Sequence, residues 1–171
     1  MKIILKLSAL TILIVAGYLI FFNQPERVDP SDIPAVIAAN PMSDWDGNPV
    51  SPDDFRGKVV LLDFWETWCP PCMAYMPVLH QLREEFPEQF VVIAATPGYQ
   101  DTADNVARFR ANHPYDFVFT DAKDLARALN LSGIPHKILF DPEGNVVFSE
   151  TGARSSEREY QRMKEYIDSF L

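Results

Sequence analysis

The two cysteines of this chain, Cys69 and Cys72, stand two residues apart, with Pro70 and Pro71 between them. An apolar run, Val59 to Trp65, leads into the pair. Behind it, Met73, Met76, Leu79, Leu82 and Phe86 recur at threes and fours, the spacing of one helix face. The pattern predicts a buried strand that hands over to a helix at the cysteines. Unpaired N–H groups and the positive end of the helix dipole there favour a thiolate on the first cysteine. A thiol of ordinary pKa ~8.5 is lowered by about one unit or more in such a place. Thiol–disulfide exchange follows, with Cys69 attacking and Cys72 resolving the mixed disulfide.

Other chemistries of a Cys-x-x-Cys pair fit less well. A structural zinc site takes four ligands, and His80, His113 and His136 are scattered without ligand spacing. Covalent haem attachment needs His directly after the second cysteine, where this chain has Met73. A purely structural bridge over so short a loop adds little chain-entropy stabilisation. No metal or other cofactor is expected beyond the cysteine pair itself.

A second chemical signal is Asp63, which interrupts the apolar strand six residues before Cys69. A lone ionised carboxylate in a buried strand costs several kcal/mol unless paired or protonated. Burial raises its pKa toward the range of a general base, unless backbone or water bonds it in the core.

Trp68-Cys69-Pro70-Pro71-Cys72 after Val59-Val60-Leu61-Leu62-Asp63-Phe64-Trp65 resembles the thioredoxin superfamily, in particular its membrane-anchored TlpA/ResA-like branch. Trp45 to Lys58 is similar to that branch's lead-in hairpin. Gly133-Ile134-Pro135 and Lys137 to Gly144 are similar to its cis-proline strand and closing hairpin. The resemblance covers about residues 34 to 171. It implies a thioredoxin-like three-layer α/β/α sandwich with a mixed central sheet, preceded by one transmembrane helix. It also implies a cis Ile134–Pro135 bond facing the cysteines, with Ile134 and Trp68 contacting the substrate. By the same resemblance Asp63 deprotonates the resolving cysteine. The lysine that accompanies such an Asp in thioredoxins has no evident counterpart in Phe90 to Ala95. Two positions depart from the family pattern. Glu66 replaces a small residue and is expected to point into solvent; His136 stands where Thr is frequent.

These residues need elements to hold them, and the rest of the chain supplies candidates. Phe90 to Ala95 reads as a second buried strand, followed by a helix capped by Asp101 or Thr102, with Val106 and Phe109 facing inward. Phe117 to Phe119 is predicted as a strand and Asp124 to Leu131 as a short helix. Ile138 to Phe140 and Val146 to Phe148 flank the turn Asp141 to Asn145, a hairpin. Ser156 and Glu159 have the spacing of a capping box for a last helix, striped by Tyr160, Met163, Ile167 and Phe170.

Leu7 to Phe22 carries no charge, and Lys2 and Lys6 lie near its start. Counted from Ile3, it has about the ~20 residues that cross a hydrocarbon core. No small-x-small cleavage pattern interrupts it, so residues 1–22 are expected to be an uncleaved anchor rather than a signal peptide. The lysines place the N-terminus inside. Residues 23–34, with Pro25, Pro30 and Pro34, read as a linker and 35–171 as the domain. The net charge of −9 speaks against nucleic acid as a partner.

The expected protein is a monomeric, single-pass enzyme of the cytoplasmic membrane with its domain on the periplasmic or extracellular side. It would reduce disulfides of extracytoplasmic proteins, in cytochrome c maturation or a similar process, with electrons from a transmembrane thiol donor. Two alternatives stay open: an oxidase or isomerase of folding proteins, and a copper-delivery module using the same cysteines.

Overall fold

The computed structural model describes residues 11–16 and 28–170. Among them no helix is long and apolar enough to cross a membrane. The expected anchor lies largely outside the described residues. Its described part, 11–16, is helical and exposes Ile12, Leu13, Ile14 and Val15.

Seven strands form one sheet: β1 (Met42–Asp44), β2 (Pro49–Val50), β3 (Val59–Phe64), β4 (Phe90–Thr96), β5 (Val118–Asp121), β6 (His136–Phe140) and β7 (Val146–Thr151). Their order is β2-β1-β5-β4-β3-β6-β7. β3, β4 and β5 run parallel, and the β1–β2 and β6–β7 hairpins close the two edges antiparallel. The sheet is therefore mixed, as expected. The continuous apolar runs of β3 and β4 are explained by their place: every residue of both strands is buried.

Five helices cover the sheet: α1 (Ile33–Ala39), α2 (Pro70–Glu85), α3 (Ala103–Asn112), α4 (Lys123–Ala128) and α5 (Ser156–Ser169). Strand alternation divides the core. Val60, Leu62 and Phe64 pack with Ile33 and Ile37 of α1 and Leu125 of α4. Val59 and Leu61 pack on the other face with Tyr75, Leu79 and Leu82 of α2 and Met163 and Ile167 of α5. Truncating a fully buried side chain such as Leu61 to Ala costs about 2–5 kcal/mol.

The segment divided in sequence between linker and domain is structured from Pro30: a 3-10 turn, Pro30–Asp32, leads into α1, whose Ile33 and Ile37 enter the core. Thr102 caps α3, its side chain accepting from Asn105 N at 3.4 Å. The expected capping box at α5 does not form. Ser155 is the cap residue without a side-chain bond. Glu159 is drawn inward instead, because a buried cation competes for its carboxylate.

Candidate active site

β3 ends at Phe64, and a short turn, closed by Cys69 N donating to Glu66 O at 3.1 Å, carries the chain to α2. Cys69 is the cap residue of that helix. Pro70 and Pro71 fill its first two positions and have no N–H to offer. The first free donor of the helix is therefore the N–H of Cys72, and it points at Cys69 Sγ, 3.2 Å away. Cys69 and Cys72 form a disulfide with their Cα atoms 5.2 Å apart. Cys69 retains 3% exposure and Cys72 none. Both lie in a cluster with Trp65, Met76, Ala94 and Val106.

The Ile134–Pro135 bond is cis. Pro135 precedes β6, where its missing N–H takes nothing from the ladder, and its carbonyl accepts Gly152 N at 2.7 Å. Ile134 is half-buried and packs against the cluster that contains both cysteines. The cysteine pair and the cis-proline segment, 62 residues apart in sequence counting from Cys72 to Ile134, thus meet at one end of the sheet.

Asp63 lies one layer beneath. It shares a sheet face with Val59 and Leu61, under α2 and α5, and has no exposure. Its cross-strand neighbours are Ala94 on β4 and Lys137 on β6. Lys137 is equally buried, but its ammonium is held by Glu159 Oε1 at 2.7 Å and lies 3.5 Å from Glu150 Oε1. It also sits 4.9 Å from the ring centroid of Tyr75, one turn along α2 from Cys72. Both Asp63 oxygens, the Tyr75 hydroxyl and Glu159 Oε2 are buried without a hydrogen-bond partner. Burial pushes the Asp63 carboxyl up to about 8; the charge of Lys137 pulls it down and that of Glu159 pushes it up. Burial, and then the charges of Asp63 and Glu159, hold the Tyr75 hydroxyl well above its ordinary range. A carboxyl with this proton affinity exchanges its proton close to neutral pH, the range that general-base chemistry needs.

The Redoxin family model matches residues 30–167. The chain belongs to that family. Among curated relatives of this Redoxin protein, thiol-disulfide oxidoreductase ResA of Bacillus subtilis is 30% identical over 159 residues, covering 88% of this chain and 86% of that one. Thioredoxin-like protein YneN of the same organism is 28% identical over 120 residues, covering 68% and 70%. A solved thiol:disulfide interchange protein of the thioredoxin family from Chlorobium tepidum superposes with a TM-score of 0.60 at 27% identity, covering 74% of this chain and 92% of that chain. The chain is a ResA-like member of the thioredoxin superfamily and a thiol-disulfide oxidoreductase.

Within this Redoxin domain Glu66 does not point into solvent. It is fully buried, because N–H donors of Trp68, Tyr99 and Gln100 converge on its carboxylate. Trp68 is 45% exposed and its indole is tied to that carboxylate. His136 faces away from Asp63: its ring bonds Thr151 Oγ1 at 2.8 Å and Ser149 Oγ at 3.1 Å and lies edge-on to Phe64. The sequence reading missed Lys137, Glu159 and Tyr75. The resemblance points to Phe90 to Ala95 on β4 for a lysine beside Asp63, whereas Lys137 stands on β6, on the other side of β3. A usable signal existed, since Asp63 and Lys137 are lone opposite charges in two apolar strands.

Proposed function

We propose that this protein is a membrane-anchored, exported oxidoreductase that reduces disulfides of extracytoplasmic proteins through Cys69 and Cys72. The observation that carries the reading is the Cys69–Cys72 disulfide at the start of α2, with Cys72 N–H aimed at Cys69 Sγ. In the reduced enzyme that donor and the helix dipole stabilise a Cys69 thiolate.

The Cys69 thiolate attacks one sulfur of the partner's disulfide, forming a mixed disulfide and releasing the partner's other thiolate. Asp63, ionised, takes the Cys72 proton. The Cys72 thiolate then attacks Cys69 Sγ, and the partner leaves as a dithiol with two electrons gained. Cys69–Cys72 ends as the disulfide, and a transmembrane thiol donor returns it to the dithiol, because the outer compartment is oxidising. The Ile134 backbone beside the cis bond pairs with the extended segment around the partner's cysteine. No cofactor takes part. The uncharged run Leu7 to Phe22, with exposed Ile12 to Val15, supports the anchor at residues 1–22. Proteins of cytochrome c maturation are the partner class that the ResA-like resemblance favours.

The test is capture with a Cys72→Ser variant in intact cells. Reductase substrates trapped as mixed disulfides through Cys69 support the reading. A measured reduction potential near that of strong oxidants, with folding proteins trapped instead, would replace it by the oxidase reading.

A further inference from the structure

One buried carboxylate organises the surface around Cys69. The Glu66 oxygens accept the Trp68 indole N–H, Tyr99 N at 2.5 Å and Gln100 N at 3.0 Å. The next residue is fastened to the same loop, with Thr67 N donating to Asp101 Oδ2 at 2.6 Å and Thr67 Oγ1 to Asp101 Oδ1 at 2.7 Å. Loop 97–101 is shaped to present these N–H groups by Gly98, whose φ is +72°, and a Cβ there would lie 3.0 Å from that of Lys123. Three donors facing one acceptor group call for a carboxylate, since an amide would turn its own NH₂ against one of them.

Two aromatic residues hang from this arrangement. Trp68 and Tyr99 are 45% and 47% exposed, and the other large exposed apolar residues described lie at the two chain ends. Burial, and then the Glu66 charge, raise the Tyr99 hydroxyl above its ordinary range. Glu66 thus holds Trp68 by its indole and Tyr99 by its backbone N–H, and Trp68 is bonded directly to Cys69. A mixed disulfide at Cys69 brings the residues flanking the partner's cysteine up to Trp68, its neighbour in sequence.

We infer that Glu66 is a positioning residue for substrate docking, fixing Trp68 and Tyr99 as one aromatic rim that receives an apolar side chain next to the partner's cysteine. The inference rests on the proposed attack by Cys69. It separates protein disulfides, which reach the rim, from small disulfides, which meet only the sulfur. Aromatic faces gain most from apolar and aromatic partners, which sets the class of flanking residue.

The experiment measures second-order rates of the reduced full-length protein with insulin and with hydroxyethyl disulfide. Glu66→Gln is expected to lower the insulin-to-hydroxyethyl-disulfide ratio about tenfold, the size of one lost hydrogen bond to a charged group. The indole N–H resonance of Trp68 should move at the same time. Tyr99→Ala should lower the ratio as well, and the double variant should add little to either single change. An unchanged ratio with a displaced indole signal overturns the inference. So does a parallel fall in both rates, which would place Glu66 in the sulfur chemistry instead. If Glu66→Gln does not fold, Tyr99→Ala at its exposed site decides alone, and an unchanged ratio there overturns the rim. Cys69→Ser, run in parallel, tests the underlying attack: retained reduction of both disulfides would bring down that reading, not the rim.

Discussion

Asp63 and Lys137 are cross-strand partners in the β3–β6 ladder, yet the lysine's ammonium is bonded to Glu159 of α5. The cation is thus bonded to Glu159, lies 3.5 Å from Glu150 and reaches Asp63 through its charge alone. A carboxyl that owned the lysine would be held ionised and weakly basic; one without it would stay protonated through neutral pH. Burial puts Asp63 near the second limit, at about 8, and the charge of Lys137 keeps it within reach of neutral pH.

The base assignment predicts a slow second half-reaction in Asp63→Asn. Attack by Cys69 should stay within about twofold of the native rate, while resolution by Cys72 slows by roughly ten- to a thousand-fold. Stopped-flow measurement of mixed-disulfide decay checks this, and an equal decay rate in both proteins removes Asp63 from the mechanism. In the native protein the resolution rate should rise with pH to a midpoint near 8, as Asp63 loses its proton.

Lys137 and Glu159 should move that midpoint in opposite directions. Lys137→Gln removes the charge that lowers the Asp63 pKa, so the midpoint rises by about one to three pH units and resolution at pH 7 slows. Glu159→Gln removes the charge that raises it, so the midpoint falls. A shared direction for both variants would show damage to the core rather than coupling to Asp63.

Stability should carry the same signature. The Asp63 pKa is raised from 3.8 to about 8 on folding, so the folded state binds a proton that the unfolded chain releases between those values. Its contribution is fully present below about pH 4 and is lost as pH rises through 8. Asp63→Asn is therefore expected to stabilise the oxidised protein at pH 8–9 by roughly 2–5 kcal/mol and to add little near pH 4. Chemical denaturation at the two pH values measures the difference.

Reduced protein should be alkylated first at Cys69, which heads the helix and retains slight exposure, with Cys72 protected behind it. Peptide mapping after a short pulse of iodoacetamide at neutral pH reads the order. Faster labelling of Cys72 would reverse the two roles.

Full-length protein should remain with membranes through a high-salt wash, and protein starting near Asn23 should be soluble. A mature N-terminus between residues 18 and 24 would replace the anchor by a cleaved signal.

Local pattern made much of this fold legible. The β3 to α2 handover, the parallel pair β3 and β4, and the hairpin around Asp141–Pro142 follow from apolar periodicity and turn residues, which act over short distances. The cysteines and the cis-proline were legible because their order along the chain is characteristic. Glu66 and Glu159 were misread for one shared reason. Each has a local role that its sequence neighbours suggest, solvation for one and a helix cap for the other. Each is taken instead by donors distant in sequence: Tyr99 and Gln100 for Glu66, Lys137 for Glu159. Long-range hydrogen bonds leave no periodicity behind. Asp63 was legible as a buried acid, but its counter-ion was not, because which strand lies beside β3 is a matter of topology.

The bonding of Lys137 to Glu159 also gives the molecule a chronology. In a chain made from its N-terminus, Cys69 and Cys72 appear long before Glu159, the last of the buried charges to be synthesised. Asp63 pairs with Lys137 across β3 and β6, and Glu150 faces Lys137 across β6 and β7, so three of these four charges belong to the sheet and Glu159 alone belongs to α5. The final helix supplies the carboxylate that holds the ammonium, and the charge of that carboxylate adds to the burial that raises the Asp63 pKa. A chain clipped after Arg154 would keep both sulfurs and lose Glu159 together with Met163 and Ile167, which cover the Asp63 face of the sheet.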